Sequence, residues 1–256
     1  MALDIFNLNN RTALVTGGGK GLGLAMATTL AEAGAKVIIA GRHEETLRSA
    51  CEEICDRSGR AAEYLVADLT QRDESDRLAK AATAKAGTID ILINNAGTNT
   101  PQAIDEISDE VWESILELNL SSCMRLSRAL APAMKQQRWG RIIHISSIMG
   151  LASKKGRNSY SATKAALIGM ARASALDLGP YNVTVNCIAP GPFLTDLPRK
   201  VFSQAEIDTV STRTALLRWG MPAELAGPIL LLASEAGSYI TGSTLVVDGG
   251  ALAPTM

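Results

Sequence analysis

Seven short runs of β-branched and aliphatic residues recur along the chain at intervals long enough for a helix. This spacing constrains the fold more than any other feature. The runs are Thr12 to Val15, Lys36 to Ala40, Ala61 to Ala67, Ile89 to Ile93, Arg141 to Ile145, Val183 to Ile188 and Thr244 to Val247. Most are apolar without alternation, as strands buried on both faces of a parallel sheet are, and parallel neighbours need crossovers of about a dozen residues or more. The intervals supply helices: Leu22, Met26 and Leu30 share one helical face, as do Val111, Ile115 and Leu118 in a helix expected from Val111 to Leu130. The expected fold is therefore α/β, a doubly wound parallel sheet of seven strands with helices on both faces. Residues 1–256 suffice for a single domain of this kind. Ligands of open α/β sheets sit beyond the carboxyl ends of the strands. The irregular segment at about 190–217, which follows the sixth strand and holds Gly191, Pro192 and Pro198, is thus a candidate substrate lid.

Composition removes several classes of partner. The net charge is −1 with Lys and Arg scattered, so no basic face exists for nucleic acid or an anionic membrane. No stretch reaches the ~18 to 20 apolar residues that span a bilayer, and Ile229 to Ala233 reads as part of a buried helix. The start, MALDIFNLNN, lacks the basic and apolar runs of a signal peptide, so a cytoplasmic protein is expected. Four cysteines without a Cys-x-x-Cys suit a reducing compartment. Cys51 and Cys55 share a helix face; with His43 they lack a fourth ligand, so a buried helical stripe is expected there and no metal site.

The first run leads directly into Thr16-Gly17-Gly18-Gly19-Lys20-Gly21-Leu22-Gly23 and then a helix. Glycines let the backbone approach a pyrophosphate, whose charge the helix N-terminus favours. The pattern is Gly-x-x-x-Gly-x-Gly, and five glycines in seven residues exceed what a bare turn needs. An acid at the end of the second strand would bond a ribose 2′-hydroxyl, whereas an arginine accommodates a 2′-phosphate. Here the segment reads Ala40-Gly41-Arg42-His43. Arg42 with Lys20 therefore points to NADP(H) over NAD(H). Glu44 and Glu45 follow at once and complement the dipole of the next helix, and Arg42 also has a plain reading as a solvated charge.

Tyr160-Ser161-Ala162-Thr163-Lys164 puts a phenol and an ammonium one turn apart on a helix face. The pair is common by chance. Its weight comes from Ser146-Ser147, which ends the fifth run at the same carboxyl edge from which the glycine loop emerges.

With these residues the chain resembles the short-chain dehydrogenase/reductase family over nearly its whole length. The marks are Thr16-Gly17-x-x-x-Gly21-x-Gly23, Asp68, Asn94-Asn95-Ala96-Gly97, Asn119, Ser147, Tyr160-x-x-x-Lys164, Pro190-Gly191 and Thr195, in order. The resemblance implies a Rossmann-like sheet of order 3-2-1-4-5-6-7, a tetramer or dimer, and carbonyl-to-alcohol chemistry. It further implies cofactor contacts from Gly17, Gly19, Lys20, Gly21, Leu22, Gly23, Arg42, Asp68, Leu69, Asn95, Ala96, Gly97, Tyr160, Lys164, Pro190, Gly191, Phe193 and Thr195, with Asn119, Ser147, Tyr160 and Lys164 catalytic.

The chemistry suits the residue types. Hydride transfer at a carbon needs a proton moved on or off the attached oxygen, and Tyr160 is placed as that general acid or base. A cation ~4 Å from a phenol is worth roughly 4 kcal/mol at an effective dielectric of ~20 and favours the phenolate. Lys164 supplies it, Ser147 fixes the substrate oxygen, and Asn119 resembles the family asparagine that holds a water in the proton relay. Each has a structural alternative: Ser147 as a helix cap, Asp68 likewise, Asn119 as an ordinary helical polar residue, and Asn94 and His144 as internal hydrogen-bonding groups. Small residues at Ala162, Ala165, Ala166, Gly169 and Ala173 fit either a subunit interface or packing on the protein's own sheet. The substrate reading leans to a sugar or sugar acid, since Lys154, Lys155, Arg157 and Asn158 give the pocket rim a polar, basic character. The alternative is a 3-oxoacyl-[acyl-carrier-protein] reductase. Arg138 matches one carrier-docking arginine of that group, but Tyr181 stands where its partner is usual. A catalytically silent cofactor-binding sensor would have lost one of the four catalytic residues, and none is missing.

Overall fold

The computed structural model describes residues 3–195 and 203–253. All seven expected strands form: β1 Thr12–Thr16, β2 Lys36–Gly41, β3 Ala62–Val66, β4 Ile91–Asn94, β5 Gly140–Ile145, β6 Val183–Pro190 and β7 Thr244–Val247. They make one wholly parallel sheet of order β3-β2-β1-β4-β5-β6-β7. β1, β4, β5 and β6 are buried at every position, which is why their sequences do not alternate.

Side chains still leave each strand to alternate faces, and the two faces gather separate cores. Val15, Ile39, Ile93, Ile143 and Ile188 pack under helices α1 (Gly21–Glu32) and α2 (Glu44–Ser58) and under a late helix, Ala226–Ala233. Leu14, Ile38, Leu92, Ile142 and Val185 pack under α3 (Glu74–Ala86), α5 (Ser122–Gln137) and α6 (Asn158–Leu178). The late helix is preceded by α7, Gln204–Ser211, and is numbered α8. It contains the apolar run Ile229 to Ala233, three residues of which are fully buried.

The helix expected from Val111 to Leu130 is interrupted. α4 covers Asp109–Leu116, then Glu117–Ser121 forms one π turn before α5. Of the expected lid at 190–217, residues 196–202 lie outside the described residues. The part before them is tied down, since Leu194 N donates to Gly220 O at 2.8 Å and Gly220 N to Pro192 O at 2.9 Å. Cys51 is half-buried and Cys55 exposed, so that helix face runs along the core margin and is not the buried stripe expected of it. Among the described residues no cluster of metal-ligating side chains occurs, and no helix is long and apolar enough to cross a membrane.

Candidate active site

β1 and β4 adjoin where the strand order reverses, so the loops leaving them diverge and open a crevice. The glycine loop fills one side of it for steric reasons that can be named. Gly17 and Gly21 have φ of +63° and +58°. A methyl group on Gly23 would stand 2.1 Å from Gly17 O, and one on Gly18 2.6 Å from Ile39. The loop is braced from β4. Thr16 Oγ1 accepts from Asn95 N and Ala96 N, both at 3.0 Å, while Asn95 Nδ2 donates to Thr16 O at 2.8 Å and Gly17 O at 3.2 Å.

A cavity of about 560 Å³ lies against this loop. Gly17, Gly19, Lys20, Gly21, Leu22 and Gly23 line it from the loop and α1, Arg42 and Leu69 from beyond β2 and β3, Asn95, Ala96 and Gly97 from beyond β4, and Gly191, Phe193 and Thr195 from beyond β6. Asp68, Tyr160, Lys164 and Pro190 are not among its walls. Asp68 instead closes a turn, its Oδ1 accepting from Thr70 N and Oγ1 at 3.1 and 2.8 Å, and it caps no helix, since the N-cap of α3 is Asp73. Ala40, Gly41, His43, Thr46 and Leu47, which no motif marks as cofactor contacts, also line the cavity. Position at the end of β2 was the available signal, because Ala40 is the register partner of Thr16. Lys20 and Arg42 are exposed, and their side chains make no hydrogen bond or ion pair with other described residues.

The cavity ends at Gly97, beside the reaction centre. A methyl group on Gly97 would stand 3.2 Å from Asn119 Oδ1 and 3.4 Å from Lys164 Nζ. Lys164 is buried, donates to Ile145 O at 2.7 Å, and has its ammonium 5.5 Å from the centre of the Tyr160 ring. One N–H of the ammonium is thus used to anchor it, and two are left. Asn119 sits inside the π turn and is locked: Oδ1 accepts from Thr98 N at 2.9 Å, and Nδ2 donates to Thr98 O at 2.9 Å and Thr163 Oγ1 at 3.2 Å. π turns of this kind occur often at functional positions. Ser147 leaves β5 and accepts from Met149 N at 3.1 Å, opening the 3-10 turn Ile148–Gly150. That turn is pressed onto α6. Ser146 Oγ donates to Lys164 O at 2.7 Å, and a methyl group on Gly150 would meet Lys164 C at 2.7 Å. Ser147 and the Tyr160–Lys164 face are therefore held by one rigid contact.

Below Lys164 lies a cross-strand row in which Asn94, His144 and Cys187 are register partners. Asn94 Nδ2 lies 3.0 Å from His144 Nδ1, the structural role weighed for both residues. Burial, with the charge of Lys164 adding to it, pushes the His144 imidazole down to about 4. Burial also raises the Cys123 thiol to about 11 and the Cys187 thiol to about 12, so neither is a nucleophile.

The short chain dehydrogenase family model matches residues 11–206. The chain belongs to the short-chain dehydrogenase family. This dehydrogenase is 37% identical over 243 residues to the 3-oxoacyl-[acyl-carrier-protein] reductase of Chlamydia muridarum, covering 95% of this chain and 98% of that one. A gluconate 5-dehydrogenase from Burkholderia cenocepacia, solved in complex with NADP and tartrate, superposes with a TM-score of 0.93 at 35% identity over the full length of both chains. A 3-oxoacyl reductase from Agrobacterium tumefaciens with NADP bound gives 0.93 at 35% identity, covering 98% of this chain and 97% of that one. The protein is accordingly an oxidoreductase of alcohol and ketone groups.

Proposed function

We propose that this dehydrogenase is one cytoplasmic, NADP(H)-dependent unit that interconverts a secondary alcohol and a ketone on a sugar or sugar acid, the segment at about 190–217 acting as its substrate lid. The observation that carries the reading is the meeting at Gly97 of the glycine-lined cavity with Lys164 and Asn119. The cavity fits the cofactor: Gly23 has no room for a side chain, Lys20 and Arg42 line the cavity without an ion-pair partner among the described residues, and no acid stands at the end of β2. The nicotinamide supplies the hydride acceptor or donor when bound. Tyr160 takes the hydroxyl proton in oxidation and returns it in reduction, with the phenolate stabilised by Lys164. Ser147 orients the substrate oxygen from the other side of the shared contact. The Ile145 carbonyl holds the ammonium in place, so its remaining N–H groups serve the phenol and a ribose hydroxyl. Asn119 fixes the Thr98 backbone that closes this end of the cleft.

Arg138 and Tyr181 bear on the alternative 3-oxoacyl reduction. The Arg138 guanidinium donates to Pro180 O at 2.9 Å, and Lys135 stands 4.2 Å over the Tyr181 ring, so both residues have internal partners. The exposed small residues of α6 fit a homodimer or homotetramer. One experiment tests the whole reading: turnover of gluconate, sorbitol and an acetoacetyl thioester with NADP(H) and NAD(H), in wild type and Arg42→Ala. We expect hydroxy acid or polyol turnover with an NADP(H) preference that Arg42→Ala cuts ~10- to 100-fold, as loss of one charge-assisted contact does. An NAD(H) preference in wild type overturns the cofactor, and turnover of the thioester alone overturns the substrate.

A further inference from the structure

Resting on the oxidoreductase reading above, we infer that Asp248 is a positioning residue: its carboxylate ties the turn after β7 into a buttress that holds the Gly191 to Thr195 wall against the nicotinamide half of the cofactor. The turn is built for this. Asp248 follows β7 directly, and its Oδ1 accepts from Gly250 N and its Oδ2 from Leu252 N, both at 2.8 Å. Bonds of backbone N–H groups to a carboxylate are charge-assisted and about twice as strong as neutral ones. Gly249 and Gly250, at φ of +62° and +80°, let the chain fold back on itself between them.

The folded turn is pressed against the wall. Gly191 N donates to Val247 O at 2.9 Å, and a methyl group on Gly191 would stand 2.6 Å from Asp248 Cα, so the two backbones touch. Gly191, Phe193 and Thr195 line the cavity, whereas Asp248 does not. The wall reaches the phosphate loop, since a methyl group on Gly21 would lie 3.4 Å from Thr195 Cγ2.

The segment after α7 closes a ring through these parts. Leu216 N donates to Gly249 O at 3.1 Å, and a methyl group on Gly250 would come within 2.7 Å of Ala215 Cβ. Farther along, Trp219 Nε1 donates to Ile207 O at 2.9 Å, which ties the segment to α7. Gly220 then returns to the wall through its bonds with Pro192 and Leu194, and a methyl group on it would stand 2.9 Å from Phe193 Cε1. Wall, segment 214–220 and turn therefore brace one another, and the Asp248 carboxylate fixes the turn. In the strand order β2-β1-β4-β5-β6, Gly191 leaves β6, on the far side of Gly97 from Arg42. Loosening the turn thus acts on the nicotinamide half and spares the adenosine half.

The test compares the dissociation constants of NADPH and of adenosine 2′,5′-bisphosphate, which lacks the nicotinamide half, in wild type, Asp248→Asn and Asp248→Ala, together with kcat on whichever compound wild type turns over. Asp248→Ala should weaken NADPH at least ~10-fold and lower kcat by a similar factor, while adenosine 2′,5′-bisphosphate stays within about twofold. Asp248→Asn keeps an oxygen for Gly250 N and should fall between wild type and Asp248→Ala. Unchanged NADPH affinity, an equal loss for both ligands, or identical behaviour of the two variants, which would mark a charge effect, overturns the buttress. Should Asp248→Ala not fold, Asp248→Asn decides by whether it weakens NADPH and spares the fragment. A wild type that prefers NADH is tested with NADH and ADP in place of the two ligands. Failure of the oxidoreductase reading is seen separately, as no nicotinamide-linked turnover in wild type, and the binding comparison then decides the buttress alone.

Discussion

At the residue scale, Tyr160 and His144 are the two side chains whose environments make quantitative demands. General acid or base catalysis is worth roughly 10²- to 10⁴-fold. Tyr160→Phe keeps the ring that lies 5.5 Å from the Lys164 ammonium and removes only the hydroxyl, so steady-state kcat should fall at least 100-fold while NADPH binding, followed by fluorescence, stays within a few-fold. A fall smaller than tenfold removes Tyr160 from the role. His144 titrates at about 4 folded against 6.5 for its ordinary value. Its folded value is depressed, so the unfolded chain binds this proton first. Stability from this group is therefore complete above pH 6.5 and declines as pH falls, by up to about 3 kcal/mol near pH 4. Urea denaturation at pH 7, 5.5 and 4.5 should register the decline, and His144→Asn should flatten it. An equal pH slope in the two proteins places the acid sensitivity elsewhere.

At the scale of elements, the site is held by approaches between backbones. Gly150 is the clearest, because a methyl group there meets the backbone of Lys164 and not the yielding end of a side chain. Gly150→Ala should lower stability by ~1–3 kcal/mol, as overpacking does, and should lower kcat more than it raises KM for NADPH, because the displaced turn carries Ser147 away from α6. Wild-type kcat and denaturation midpoint together would contradict this. The same contact explains what was legible beforehand. The inner strands were readable because burial on both faces leaves continuous apolar runs, the half-exposed edge strands β3 and β7 because short aliphatic runs stand between turn residues, and Ser147, Tyr160 and Lys164 because strand ends and a four-residue spacing locate them. The π turn at Glu117–Ser121 was not, since no Gly or Pro marks it and the apolar period of Val111, Ile115 and Leu118 runs through it unbroken. What pins it is Asn119 reaching Thr98 and Thr163, residues 21 and 44 positions away. Asn95 is another such case. It was expected on the cofactor wall and does line the cavity, yet its amide is spent on Thr16 and Gly17 at separations of 79 and 78, pairings that only the closed sheet creates.

At the scale of the whole molecule, α6 joins the reaction centre to the protein's outer surface. Thr163, Leu167, Ile168, Ala171 and Ala175 are its sheet-facing residues, so the small residues at Ala162, Ala165, Gly169 and Ala173 face outward. Packing on the protein's own sheet, one of the two roles considered for them, does not account for this side. Nothing stands within 4 Å of a methyl group built on Gly169, and Leu176 on the same helix is 81% exposed. Trp112 and Met124, on α4 and α5, are exposed apolar residues as well. A helix with small outward residues lets a second helix approach to the ~8 Å end of the usual packing range, and isologous contact of α6 with α6 would form a two-fold dimer. Gly169→Arg places a long charged side chain at the centre of that contact without touching the monomer's interior. Sedimentation at micromolar concentration should give a dimer or tetramer for wild type and a smaller species for the variant, and the thermal midpoint should depend on concentration only in wild type. Because Tyr160 and Lys164 ride on the same helix, kcat should fall in the dissociated variant more than NADPH affinity does. A monomeric wild type, or a Gly169→Arg protein of undiminished mass, would show that this face meets only solvent.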